Sequence, residues 1–327
     1  MTVHRVAAVA DVVAIVGATA TGKSDLAVAL ARALDGEVVN ADSMQLYRGM
    51  DIGSAKLPPD QRGGVPHHLL DVWDVTEPAN VAGYQGLARE VFAEVAGRGR
   101  TPVLVGGSGL YVRAALDDLD FPGTDDAVRA RLDAELAAEG AGALHARLAV
   151  VDPRAAAAIL PGNGRRIVRA LEVVELTGAP FVATLPEPVY AVPGVQLGLA
   201  VDRAVLDERI SRRVERMWEL GLVDEVRSLE DRGLREGRTA SQALGYAQVL
   251  RHLAGECSED EAREDTVRAT RRFARRQESW FRRDPRVRWL EVSDTGDIGD
   301  AGDTDNSAEQ GALTERALSA LGAMPDN

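Results

Sequence analysis

Val12-Val13-Ala14-Ile15-Val16-Gly17-Ala18-Thr19-Ala20-Thr21-Gly22-Lys23-Ser24 decides the fold. The first five residues form an apolar, β-branched run short enough for a buried strand. The last eight match the phosphate-binding pattern G-x-x-x-x-G-K-[ST] at every position. From Asp25 onward Leu26, Leu30 and Leu34 recur four apart, the spacing of one helical face. Strand, glycine loop and helix are the context in which the pattern has chemical meaning. Gly17 and Gly22 let the backbone curl so that the amide N–H groups of the loop, Gly17, Ala18, Thr19, Ala20, Thr21, Gly22, Lys23 and Ser24, converge on an anion, and the helix N-terminus adds partial positive charge. Lys23 is placed to bridge phosphate oxygens and the Ser24 hydroxyl to reach a Mg²⁺ ion. The ligand expected here carries a di- or triphosphate.

Working outward, Glu37-Val38-Val39-Asn40-Ala41 reads as a second strand that delivers Asp42-Ser43-Met44-Gln45. In an α/β sheet, ligands gather at the C-terminal ends of strands. A carboxylate at Asp42 could serve there as a base, or equally could cap a turn. Residues 80–97 read as a helix, and Thr101 to Val105 as a buried strand running into Gly106-Gly107-Ser108, where glycines permit close approach. Val195 to Val201 returns as a core strand. The fold class expected is α/β, a P-loop NTPase-like parallel sheet flanked by helices, with an all-helical insertion. Residues 1–120 and 197–293 form the core in this reading, the latter ending in basic helices. Residues 121–196, Ala-rich and helical before a proline-punctuated linker, form the insertion. The apolar positions of 202–232 recur at helical spacing, a long amphipathic helix or helix pair read as packing.

Composition narrows the class. A chain of 327 residues suits two domains, or one large domain with an insertion. No apolar run approaches a membrane span, and the opening Met1 to Ala10, only mildly apolar and broken by Asp11, does not read as a signal peptide. The lone Cys257 excludes an internal disulfide and a cysteine-based zinc cluster. His67-His68 lacks a carboxylate at ligand spacing and reads as polar contact or packing. A cytoplasmic protein is expected. Net charge is −13, which taken whole argues against nucleic acid. The distribution says otherwise. Residues 294–327 carry eight acids against Arg316 alone and read as a mostly disordered tail. Just before it, Arg268, Arg271, Arg272, Arg275, Arg276, Arg282, Arg283, Arg286 and Arg288 cluster among Phe273, Trp280, Phe281 and Trp289. Arginines supply phosphate affinity and aromatic faces can stack on unpaired bases.

The loop followed by N-A-D-S-M-Q-L-Y-R-G-M-D-I-G-S-A-K from Asn40 to Lys56 strongly resembles the tRNA dimethylallyltransferases, also called tRNA isopentenyltransferases. The resemblance continues through Val65 to Asp71, Pro102 to Tyr111, Arg165 to Glu172, Ala243 to Tyr246 and Thr270 to Gln277, in the family's order. It implies transfer of a dimethylallyl group from dimethylallyl diphosphate to the N6 amine of the adenine immediately 3′ of the anticodon, position 37, in tRNAs reading codons that begin with U. It implies Mg²⁺ as cofactor and the tRNA anticodon stem-loop as partner, with no membrane; a monomer is expected.

Residue by residue, the resemblance makes Asp42 the base and places Ser108 beside the acceptor adenine. Thr19, Lys23 and Arg129 act on the diphosphate. Contacts to tRNA fall to Asp42, Ser43, Met44, Gln45, Ser108, Arg129, Arg165, Arg166, Arg169, Gln242, Gly245 and Tyr246. The charge pattern alone favours a solvated, ion-paired helix face for Arg165, Arg166 and Arg169. Residues 242 and 247 lack the basic side chains the family often has there. Three alternatives stay open: a P-loop small-molecule kinase, an adenylate isopentenyltransferase using free AMP, and a catalytically silent RNA-binding protein. A kinase would want a strand ending in Asp, whereas Val103-Leu104-Val105 runs into glycines.

Overall fold

The structure, a computed structural model, describes residues 12–183, 185–292 and 307–322. Its frame is a six-stranded, all-parallel sheet in the order β3-β2-β4-β1-β5-β6. The strands are β1 (Val12–Gly17), β2 (Gly36–Asn40), β3 (His67–His68), β4 (Thr101–Gly106), β5 (Gly194–Val201) and β6 (Val287–Val292). β1 is buried along its whole length because it lies between β4 and β5. That position explains its unbroken apolar run, since a central parallel strand is covered on both faces.

Helices α1 (Lys23–Ala33), α2 (Val81–Gly97) and α3 (Gly109–Leu116) follow strands in the first half. After β5 come α7 (Arg203–Glu219), α8 (Leu222–Glu230), α9 (Tyr246–Leu253) and α10 (Glu259–Phe281). The stretch expected as a helix or helix pair is a pair: Gly221 at φ +94° ends α7 and opens α8. Leu26 and Leu30 of α1 pack with Val13, Ile15, Val103 and Leu197 in the core.

Leu119–Val189 form a separate compact unit of three helices, α4 (Asp126–Val151), α5 (Pro153–Ala158) and α6 (Gly164–Thr177). The insertion therefore closes before β5, which the expected boundary at 196 had cut. α4 breaks at Gly140 (φ +80°), where the sequence separates two helical stretches. Leu132, Leu144, Leu148, Ile167 and Leu171 fill the core of this unit.

The acidic tail needs correction. Residues 307–322 form a helix, α11 (Ser307–Gly322), with Leu313 and Ala317 buried in the sheet's core cluster. Arg288 donates to the Ala320 carbonyl at 2.6 Å. The Gly/Asp-rich composition hid a short apolar stripe of Leu313, Ala317 and Leu321. The remainder of the expected tail, 294–306 and 323–327, lies outside the described residues. No helix among the described residues is long and apolar enough to cross a membrane.

Candidate active site

The phosphate loop joins β1 to α1. Gly17 has φ +140°, and a Cβ there would sit 3.1 Å from the Leu199 carbonyl oxygen of β5. Ala20 at φ +63° and Gly22 at φ +85° complete the curl. Thr21 donates its hydroxyl to the Ala18 carbonyl (2.9 Å), which also accepts from the Lys23 ammonium (2.5 Å). Burial, then the Arg213 guanidinium, draw the Lys23 amine down to about 7, against the pull of the Asp42 carboxylate. Arriving anionic oxygens relieve that repulsion and restore the charge.

A cavity of ≈ 530 Å³ opens in front of residues 20–25. α7 contributes Arg209, Arg212, Arg213 and Arg216 to it, and Ile52, Leu57 and Met217 add apolar surface. Burial lowers the Arg213 pKa while the Asp42 carboxylate raises it. Ser24 and Asp25 line the same cavity, and burial raises the Asp25 carboxyl. A hydroxyl and a carboxylate facing a phosphate site form a hard-oxygen donor set that suits Mg²⁺ completed by substrate phosphates. Among the described residues no group of three or more His, Cys, Asp or Glu could hold a metal. The histidine pair is accounted for: His68 meets Glu37 (2.6 Å) and His67 bonds the Val65 carbonyl (2.9 Å).

At the end of β2 the chain turns on Asn40. Its side-chain amide donates to the carbonyls of Asp42 and Leu69 (3.0 Å each) and accepts the Asp42 N–H (2.9 Å). Asp42 Oδ1 in turn accepts the Met44 N–H (2.9 Å), so the carboxylate does cap a turn. Its second oxygen makes no hydrogen bond among the described residues. The turn occupies one carboxylate oxygen only, so the cap is compatible with a proton-accepting role for the other. Ser43 lies 3.3 Å from the Ser108 hydroxyl, through its own hydroxyl and through its N–H.

Gly106 and Gly107 are glycines because of crowding. A Cβ at 106 would meet the Ala41 carbonyl oxygen at 2.4 Å, and one at 107 the Gln277 amide at 2.3 Å. That amide, from α10, accepts the Thr19 N–H and donates to the Gly107 carbonyl (2.9 Å each). Gln277 thus ties the phosphate loop to the turn that carries Ser108.

Two further expected contacts are internal. Gln45 donates to the carbonyls of Ser54 (3.2 Å) and Ala55 (3.3 Å). Tyr246 is wholly buried, and its phenol donates to Glu225 (2.6 Å), whose carboxylate also accepts the N–H groups of Asp51, Ile52 and Gly53. The Tyr246 ring, expected at the RNA, thus lies inside the fold and supports the 51–53 turn. Gly245 is buried, Met44 half-buried and Gln242 exposed.

Arg129, Arg165, Arg166 and Arg169 lie in the helical unit. Buried Glu172 accepts from Arg129, from Arg169 (2.6 Å) and from the Asp125 N–H (3.3 Å). Burial alone would raise that carboxyl; the hydrogen bonds from Arg129 and Arg169 hold it below the ordinary carboxylate value. Arg169 also donates to the carbonyls of Gly123 and Pro122, and Arg166 to that of Ala183. Arg165 is exposed and makes no ion pair among the described residues.

Comparison with known proteins fixes the class. Residues 45–284 match the IPP transferase family model and 10–71 the isopentenyl transferase model. The tRNA dimethylallyltransferase of Thermobifida fusca is 71% identical over 85% of this chain and 89% of its own. That of Streptomyces avermitilis is 70% identical over the same shares. The chain belongs to the tRNA dimethylallyltransferase family. The tRNA isopentenylpyrophosphate transferase of Bacillus halodurans, 41% identical, superposes with a TM-score of 0.64 over 96% of this chain and 100% of that one. A eukaryotic dimethylallyltransferase acting on tRNA, 24% identical, shares the fold at a TM-score of 0.77 over 96% of this chain and 80% of that one.

Three residues with a part in these arrangements escape the sequence reading: Arg213, Gln277 and Glu172. Arg213 lies in a helix read as packing, although two turns of α7 carry arginines at 209, 212, 213 and 216. Gln277 sat unassigned inside the Thr270–Gln277 block. Glu172 closed the Arg165–Glu172 block, three residues after Arg169, where a helical ion pair forms.

Proposed function

We propose that the enzyme, acting as a cytoplasmic monomer, transfers a dimethylallyl group from dimethylallyl diphosphate to N6 of the adenine at position 37, in tRNAs that read codons beginning with U. The observation that carries this reading is the arrangement around Asp42. Its carboxylate has one oxygen fixed and the other without a hydrogen bond among the described residues, it lies within the field of Lys23 and Arg213, and the next residue, Ser43, touches Ser108.

In the reaction the allylic C–O bond of the donor breaks and its electron pair leaves with diphosphate. The amine nitrogen forms the new C–N bond and yields a proton to Asp42. Charge grows on the departing oxygens, so the curled loop backbone at the N-terminus of α1, with Lys23 and Arg213, stabilises the transition state more than the ground state. The Ser24 hydroxyl and Asp25 would hold Mg²⁺, which when bound adds charge neutralisation at the diphosphate. An exocyclic adenine amine is a poor nucleophile because its lone pair is delocalised, and proton acceptance by a positioned carboxylate offsets that deficit. The adenine must leave its stack to arrive, most cheaply from a loop. Ser108 and Ser43 supply hydroxyls to receive it.

A competition assay separates this reading from its nearest rival. With labelled dimethylallyl diphosphate and Mg²⁺, unmodified tRNA should take the label and equimolar AMP should not dilute it. Label on AMP in preference to tRNA would overturn the reading.

A further inference from the structure

Of the four aromatics in the arginine-rich segment, three are committed elsewhere. Phe281 is buried, Phe273 is half-buried beneath the Arg276 guanidinium (5.9 Å), and Trp289 is covered by Arg282 (4.1 Å). Trp280 alone is exposed, at 37%. That is unusual for the largest apolar side chain, and its position gives the reason.

Trp280 lies one turn beyond Gln277 on the same face of α10, and Gln277 is clamped between the Thr19 N–H and the Gly107 carbonyl. The pyrrole edge of the indole rests on Gly109: a Cβ there would fall 2.1 Å from Nε1. Gly109 follows Ser108, which touches Ser43, next to Asp42. The one exposed ring of the segment is therefore seated at the rim of the acceptor side, on a helix bonded to both halves of the site. Arg276, one turn earlier, and Arg283, one turn later, flank it; both are exposed and neither makes an ion pair among the described residues.

We infer that Trp280 is a stacking platform for an unpaired anticodon-loop base neighbouring the everted adenine, with Arg276 and Arg283 on the adjoining phosphates. A flat π-face between two guanidinium groups is the chemistry that grips single-stranded nucleic acid without reading sequence. The space left by an adenine that swings into the site strips its neighbour of a stacking partner, and the indole replaces it. This rests on the tRNA reading above and adds a residue to it.

The test measures transfer by wild type, Trp280→Leu and Trp280→Phe against unmodified tRNA at saturating donor. Leucine keeps apolar bulk over Gly109 but has no π-face. It should raise the KM for tRNA about tenfold, within the usual effect of removing one base–aromatic stack, and leave the KM for dimethylallyl diphosphate unchanged. Phenylalanine should recover most of that loss. Independently, adding an anticodon stem-loop should quench wild-type tryptophan emission by an increment missing from Trp280→Phe. A wild-type KM for tRNA in Trp280→Leu, or equal quenching in wild type and Trp280→Phe, overturns the inference. Failure of the wild type to modify tRNA strikes instead at the function on which it rests.

Discussion

The catalytic cleft and the helical unit use charge in opposite ways. In the cleft, cations crowd one another at the phosphate loop: Lys23 is drawn down to about 7 by burial and by Arg213, against the pull of the Asp42 carboxylate. In the helical unit, Arg129, Arg166 and Arg169 have already found acceptors. Arg129 and Arg169 converge on buried Glu172, and Arg166 and Arg169 bond backbone carbonyls. The first region is primed for an anion and the second is internally balanced. Of the arginines in the Arg165–Glu172 block, Arg165 is exposed and makes no ion pair among the described residues.

The largest effect that sharpens this contrast is expected at Asp42. Asp42→Asn retains the bond from Met44 but cannot take a proton; kcat should fall about 10²–10⁴-fold with binding of dimethylallyl diphosphate preserved. Near-normal turnover would remove proton transfer from its role. Next comes Glu172→Gln, which leaves two arginines facing a neutral amide. We expect a loss of about 3 kcal/mol or less, since both guanidinium groups reach water, read as a lowered thermal midpoint of the helical unit. Because the folded carboxyl lies below its unfolded value, this stabilisation is full above the ordinary carboxylate range and fades as pH falls through the lowered folded value. An unchanged midpoint at neutral pH would show that the pairs are ornamental.

Lys23 gives a smaller effect with a definite sign. Its amine is largely neutral above pH 7 in the free protein and must recharge on meeting diphosphate. Donor binding at about pH 8 should therefore take up close to one proton and weaken as pH rises further, whereas near pH 6 uptake should vanish. Calorimetry in buffers of different ionisation enthalpy measures it; equal heats in all buffers at pH 8 would contradict the assignment. The smallest effect is expected at Arg165. Arg165→Ala should weaken tRNA binding a few-fold and reduce the salt slope of log K by about 1, with stability unchanged.

The same contrast explains what was legible in the sequence. The sheet and phosphate loop could be read because Val12 to Val16 and Gly17 to Ser24 encode their geometry locally, in strand propensity and glycine spacing. Asp42 and Ser108 could be placed because each ends a strand beside that loop. Arg213 could not: its meaning depends on α7 packing against a cavity that no local pattern reveals. The motif around Tyr246 says nothing of Glu225, 21 residues earlier, which receives its phenol. The α11 helix was masked by acidic neighbours, although Leu313 and Ala317 were enough to dock it.

The central claim is that an everted adenine meets the prenyl donor between Asp42 and the Lys23–Arg213 cations. Incubating the protein with labelled dimethylallyl diphosphate, Mg²⁺ and unmodified tRNA, then digesting and mapping the product, tests it most directly. The account predicts label on N6 of the adenine 3′ of the anticodon and nowhere else in the RNA. Label on another nucleoside, or donor hydrolysed without transfer, would contradict it.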